Sequence, residues 1–78
     1  MKLWVVQDRE SGEEDQIYLC SSEQIARQRA YDFLWHILEW RLQGTGIDIP
    51  STLEGAEQLC FDEDYAYISI YEQEVGNG

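Results

Sequence analysis

The sequence predicts an α+β fold, one long helix packed on a small antiparallel-rich sheet in the order ββαββ. Three observations carry this. Two short β-rich runs near the start flank a polar stretch that contains a glycine, the segment from Ser22 to about Gln43 lacks Gly and Pro, and residues 65–71 alternate Tyr or Ser with Ala or Ile. At 78 residues the chain can build one hydrophobic core and not two. With 44% hydrophobic and 13% aromatic residues it is too apolar to stay disordered despite its charge. No internal repeat or domain boundary interrupts it, so residues 1–78 read as one domain with 73–78 as a loose tail.

Residues 2–8 form the first predicted strand and residues 16–20 the second, in which Ile17 and Leu19 point one way and Tyr18 the other. The stretch between them reads as a hairpin loop and carries Glu10, Glu13, Glu14 and Asp15. Ser21 to Gln24 has the form of a capping box, with the Ser21 hydroxyl accepting the Gln24 amide and Glu23 favoured at the positive end of the helix. Gly44 supplies the left-handed residue that ends many helices. On the helical wheel Ala26, Ala30, Phe33, Leu34 and Ile37 share the face that must lie on the sheet. Tyr31, Trp35, Leu38 and Leu42 widen it, leaving Gln24, Gln28, Asp32, Glu39 and Gln43 as a narrow polar strip. A ridge this wide is either covered by the following segment, through Ile47, Ile49 and Leu53, or is a dimer or partner surface. Cover is favoured, because monomers rarely leave a large apolar patch bare.

Residues 44–58 hold Gly44, Gly46, Pro50, Ser51 and Gly55 and read as a connection with at most one turn of helix, around Ser51 to Glu57. Leu59, Cys60 and Phe61 resume a strand. After Asp62, Glu63 and Asp64, the last run places Ala66, Ile68 and Ile70 toward the core and Tyr65, Tyr67, Ser69 and Tyr71 on the wetter face, followed by Glu72 and Glu74.

Sixteen acids against five bases give a formal charge of −11, which repels nucleic acid and anionic membranes and attracts cationic surfaces. Residues 1–47 hold eight acids and all five bases, a net of −3, whereas residues 48–78 hold eight acids and no base, a net of −8. No apolar run is long enough to span a bilayer, and the start reaches Gln7, Asp8 and Arg9 before a signal-peptide core forms, so a cytoplasmic protein is expected. Cys20 and Cys60 read as reduced core residues rather than a disulfide.

Catalysis finds little support. His36 lies in mid-helix between Trp35 and Ile37, without a nucleophile-elbow or oxyanion-loop pattern, and reads as a packing residue. Asp62, Glu63 and Asp64 lack the spacing and glycine of a calcium loop, and two lone Cys with one His make no zinc set. Glu54 and Glu57 could form an acid–base pair, yet paired acids are expected by chance in so acidic a chain. No glycine-rich phosphate cradle or other cofactor motif occurs, so a non-enzyme without cofactor or metal is expected.

What remains is the acid pattern. Solubility needs less charge than this, and self-repulsion destabilises a fold, so a partner with a basic surface is expected. Acids on strands and short turns can imitate the phosphate rows of duplex DNA, and Tyr65, Tyr67 and Tyr71 would add contact area at low entropic cost. In its compact strand-strand-helix-strand order, its few bases and its carboxylates within Arg9 to Asp15 and Asp62 to Asp64, the chain resembles the small acidic phage-encoded anti-CRISPR proteins across its whole length. That resemblance implies a DNA mimic that occupies the target-DNA or protospacer-adjacent site of a type I surveillance complex in the host cytoplasm. The expected contact residues are Glu10, Glu13, Glu14, Asp15, Glu54, Glu57, Asp62, Glu63, Asp64, Tyr65, Tyr67, Tyr71, Glu72 and Glu74. The alternative is a toxin-neutralising or adaptor protein whose interface is the helix ridge of Tyr31, Trp35 and Leu42, with the acids only steering association. Either a monomer or a homodimer fits; direct nucleic-acid or membrane binding does not.

Overall fold

The computed structural model describes residues 1–76. Five elements follow in the order β1 (Lys2–Glu10), β2 (Gln16–Cys20), α1 (Glu23–Arg41), α2 (Leu53–Asp62) and β3 (Ala66–Glu74). The strands form one sheet in the order β2-β1-β3 with both pairs antiparallel, and the two helices lie against the same face. The class is α+β as the sequence predicts, but the order is ββααβ.

The fourth element is the correction. The segment expected to hold at most one turn of helix and then a strand at Leu59 to Phe61 is a ten-residue helix. Thr52 caps it, its hydroxyl accepting the Gly55 amide at 3.1 Å. Leu53, Ala56 and Cys60 then recur at helical spacing and are buried. Gly55 is required by packing rather than by a turn, because a Cβ there would meet Pro50 Cβ and Thr52 Oγ1 at 3.0 Å. The connection can therefore pass directly over the first turn of α2.

At the start of α1 the cap is Ser22, one residue later than the predicted Ser21, with its hydroxyl accepting the Ile25 amide at 3.2 Å. Ala26, Ala30, Leu34, Ile37 and Leu38 are buried. Phe33 is half-buried at the margin of the core. Gly44 and Gly46, at φ +78° and +76°, turn the chain back along α1. Ile49 and Leu53 pack against the core, and the Tyr31 hydroxyl donates to the Pro50 carbonyl at 2.6 Å. Leu42 is buried beneath this cover and Tyr31 is half-buried, while Ile47 stays in solvent. Of the ridge of Tyr31, Trp35 and Leu42 expected to serve a toxin-neutralising or adaptor interface, Trp35 alone is exposed, with Tyr31 half-buried.

On the sheet, the residues turned toward the helices are Trp4, Val6 and Asp8 of β1, Tyr18 and Cys20 of β2, and Ala66, Ile68 and Ile70 of β3. Tyr65 departs from its predicted outward position and packs against the core. Gln73 and Glu74, assigned to the tail, are the end of β3, and the Val75 amide donates to the Met1 carbonyl at 2.7 Å. The remainder of the expected tail, Asn77 and Gly78, lies outside the described residues. Both cysteines are free and buried, and burial pushes the Cys60 thiol up to about 11. His36 is exposed rather than packed into the core, its ring edge-on to Trp35 at 5.6 Å between centroids.

Candidate partner-binding surface

The hairpin between β1 and β2 and the corner between α2 and β3 meet at one end of the sheet. The hairpin closes with the Glu13 amide donating to the Glu10 carbonyl at 2.9 Å and Gly12 at φ +88°. The next contact joins the two segments: the Ser11 amide donates to the Tyr65 carbonyl at 2.9 Å, extending the β1–β3 ladder whose last pair is Glu10 with Ala66. Residues distant in sequence are thereby fixed as neighbours on a rigid ladder.

The corner itself is a Schellman turn. The Tyr65 amide donates to the Cys60 carbonyl at 2.8 Å and the Asp64 amide to the Phe61 carbonyl at 3.2 Å, with Asp64 at φ +57°. Glycine is the usual residue in that left-handed position, and an aspartate there carries backbone strain. Asp62, Glu63 and Asp64 also crowd the C-terminus of α2, whose last turn holds no base. Carboxylates at the negative end of the helix dipole are destabilising. Local stability thus disfavours these acids twice, once through the backbone and once through charge.

The two segments bring together Glu10, Glu13, Glu14, Asp15, Asp62, Glu63 and Asp64; Arg9 is the one base among residues 9–15 and 61–67, and Arg41 at the end of α1 lies 5.1 Å from the centroid of the Tyr65 ring. Arg9 lies 3.7 Å from Asp15 and 5.1 Å from the centroid of the Tyr67 ring. Gln7 holds the other Asp15 oxygen at 3.1 Å. The Tyr67 hydroxyl donates to Asp64, and this bond, more than burial, raises the tyrosine above its ordinary range. Phe61, which the strand assignment concealed, stands 63% exposed and edge-on to Tyr67 at 6.0 Å between centroids. Its placement beside three acids was the one available signal that it belongs to this surface.

Other predicted contact residues lie elsewhere. Glu72 and Glu74 are at the opposite end of β3, about 20–27 Å away at the ordinary rise of a strand. There Glu72 sits 3.6 Å from Lys2 and Glu74 sits 3.4 Å from the terminal amine. Tyr71 faces the open side of the sheet near that end, across from Val5. Glu54 is bound to Arg27 of α1, and this ion pair lowers the glutamate and raises the arginine. Glu57 is exposed on α2 and lines a shallow cleft with Glu54, Gln58 and Phe61.

One acid absent from the predicted set is Asp8, which is 2% exposed and has no hydrogen-bond partner in the protein for either oxygen. Burial raises its carboxyl above the usual range, partly offset by the Arg29 guanidinium, which itself stacks on the Tyr18 ring at 3.6 Å. Among the described residues no group of three or more His, Cys, Asp or Glu is placed to hold a metal ion, and no helix is long and apolar enough to cross a membrane. No protein-family profile, curated protein or solved structure matches the chain.

Proposed function

We propose that the chain is a non-catalytic inhibitor that binds a basic, nucleic-acid-binding protein surface through the end of the sheet formed by the hairpin and the α2–β3 corner. The observation that carries this reading is the gathering of seven carboxylates on a hydrogen-bonded frame with two arginines beside it, Arg9 and Arg41, at positions where three of the acids oppose the stability of their own helix. Charge that stability disfavours is explained by a partner that neutralises it. Phe61 and Tyr67 lie among the acids and supply apolar contact once water is expelled.

The finer reading is that the surface imitates the phosphates of duplex DNA, which carries one charge per about 1.7 Å of axis, and blocks target-DNA or protospacer-adjacent recognition by a type I surveillance complex in the host cytoplasm. It rests on the resemblance to acidic anti-CRISPR proteins. Glu54, Glu72 and Glu74, each already bound to a cation, are left outside the contact.

The test is recovery of the tagged protein from a lysate that contains a type I surveillance complex, followed by a DNA-competition gel. The expected result is capture of that complex, displacement of its target DNA, and release as salt is raised. Capture of no basic, nucleic-acid-handling protein, or capture unchanged when Asp62, Glu63 and Asp64 are all replaced by Ala, contradicts the proposal.

A further inference from the structure

Asp8 is a buried carboxylate that the acidic end does not use. Strand alternation turns its side chain toward α1, where it is 2% exposed and neither oxygen meets a donor in the protein. A carboxylate accepts about four hydrogen bonds, and burying one with none of them made costs stability. Tyr18, its diagonal neighbour on β2, and Arg29, Asp32, Phe33 and His36 of α1 form a cleft of about 270 Å³ with Asp8 in its wall. The four α1 residues recur at helical spacing, so one stripe of the helix overlooks the carboxylate.

Charge and shape select what this cleft can take. It sets the two carboxylates of Asp8 and Asp32 against the one guanidinium of Arg29, within a chain of charge −11, so a cation is drawn in and an anion is not. Its volume falls short of the roughly 300 Å³ at which pockets for drug-sized molecules begin, and suits a single side chain. Two free oxygens on one carboxylate match the parallel N–H fork of a guanidinium, which an ammonium does not offer. Arg29 shows that the walls accept such a group, since its guanidinium stacks 3.6 Å from the centroid of the Tyr18 ring. It lies near enough to offset part of the Asp8 charge, yet donates no hydrogen bond to it. Arg29 is exposed, and side chains so placed change rotamer in nanoseconds or less, so its rotation can uncover the carboxylate.

We propose that the cleft between β2 and the stripe of α1 from Arg29 to His36 takes a guanidinium, supplied by an arginine of the basic partner and paired with both oxygens of Asp8. The cleft begins where the acidic surface ends. Asp8 lies opposite Gln16, the residue after Asp15 of the hairpin, and about 7 Å along β1 from Glu10 at the ordinary rise of a strand. A partner seated on the hairpin therefore has Asp8 within reach of one long side chain. The inference rests on the proposed basic partner for the source of the arginine, and on the cleft alone for its chemistry.

Chemistry and source are tested separately. N-acetyl-arginine methylamide and N-acetyl-lysine methylamide, equal in charge, are titrated into the full chain and followed by NMR at the Asp8 carboxyl carbon and the amides of residues 18, 29, 33 and 36. The expected result is a saturable shift with the arginine compound, half-complete on the order of 1–10 mM and at least about fivefold weaker with the lysine compound. The shift is expected to vanish in Asp8→Asn and to persist when Asp62→Asn, Glu63→Gln and Asp64→Asn are combined. Toward the surveillance complex, Asp8→Asn is expected to bind about tenfold more weakly than the wild type at matched salt, with its fold intact by circular dichroism. Equal shifts from the two compounds, or an Asp8 carboxyl that neither moves, overturn the proposal and leave Asp8 to Arg29. Unchanged binding of Asp8→Asn to the complex also overturns it, because the partner then places no arginine there. An arginine shift at Asp8 together with no capture of the complex by the wild type upholds the cleft and strikes the reading of the partner alone.

Discussion

At one end of the sheet Glu72 and Glu74 lie within ion-pair distance of Lys2 and the terminal amine, so the acids of β3 meet cations on the adjacent strand. At the other end seven acids stand against two arginines, Arg9, which pairs with Asp15, and Arg41, which lies over the Tyr65 ring, and three of the acids close a helix against its dipole. Both ends are built from the same two strands, and charge alone assigns both to one surface. The contrast teaches that acid content alone does not tell the two ends apart, whereas the balance of acid against nearby base does. Ion pairs between exposed side chains contribute little to stability, and their presence at the far end removes charge from the field rather than strengthening the fold.

The largest effect that separates the two ends is expected at the corner. Replacing Asp62, Glu63 and Asp64 with Asn, Gln and Asn is expected to weaken binding to the basic partner by about 10–100-fold at low salt, read by calorimetric titration. The same triple change is expected to raise the thermal midpoint, because it relieves the helix C-terminus. A variant that binds less and melts lower would show that these acids serve the fold, and the contrast between the ends would fail.

Asp8→Asn is the next largest. The wild-type carboxyl titrates higher in the folded state than its ordinary value of 3.8, so the folded state holds the proton more tightly than the unfolded one. Stability from this group is present below the unfolded value and is lost as pH rises through the raised one. The replacement amide cannot ionise, so denaturant unfolding should find the variant more stable by about 1–2 kcal/mol at pH 7, with the gain vanishing toward about pH 3. A constant difference across that range would place the effect in packing rather than in charge.

Asp64→Gly relaxes the left-handed backbone and gives up the Tyr67 hydrogen bond, for a net gain of about 0.5 kcal/mol by chemical denaturation, with weaker partner binding. Glu72→Gln with Glu74→Gln is the smallest change. It should alter stability by less than about 0.5 kcal/mol and partner binding by less than about threefold, since these acids are exposed and already paired.

The fold class, the hairpin, α1 and the inward alternation of Ala66, Ile68 and Ile70 were legible because each rests on a periodicity of many residues or on a glycine with a local role. α2 was not, for a specific reason. Gly55 is a packing glycine that resembles a turn signal, and Leu59 to Phe61 is an apolar run too short for its period to be read. Placing those residues in a strand hid Phe61 and the helix dipole against which Asp62, Glu63 and Asp64 are set. The acids of the surface are visible in the sequence as residue types, but their grouping was out of reach. It depends on the Ser11 to Tyr65 hydrogen bond between distant segments, which joins residues 10–15 to residues 62–67 and leaves Glu72 and Glu74 at the far end.

The most direct test is hydrogen exchange of the chain alone and in complex with a purified type I surveillance complex. If the uncompensated end is the contact, residues 10–15 and 61–67 gain protection that an excess of target DNA abolishes, while residues 72–75 stay unchanged. Protection confined to residues 72–75, or spread over α1 with the hairpin and corner unaffected, would contradict it.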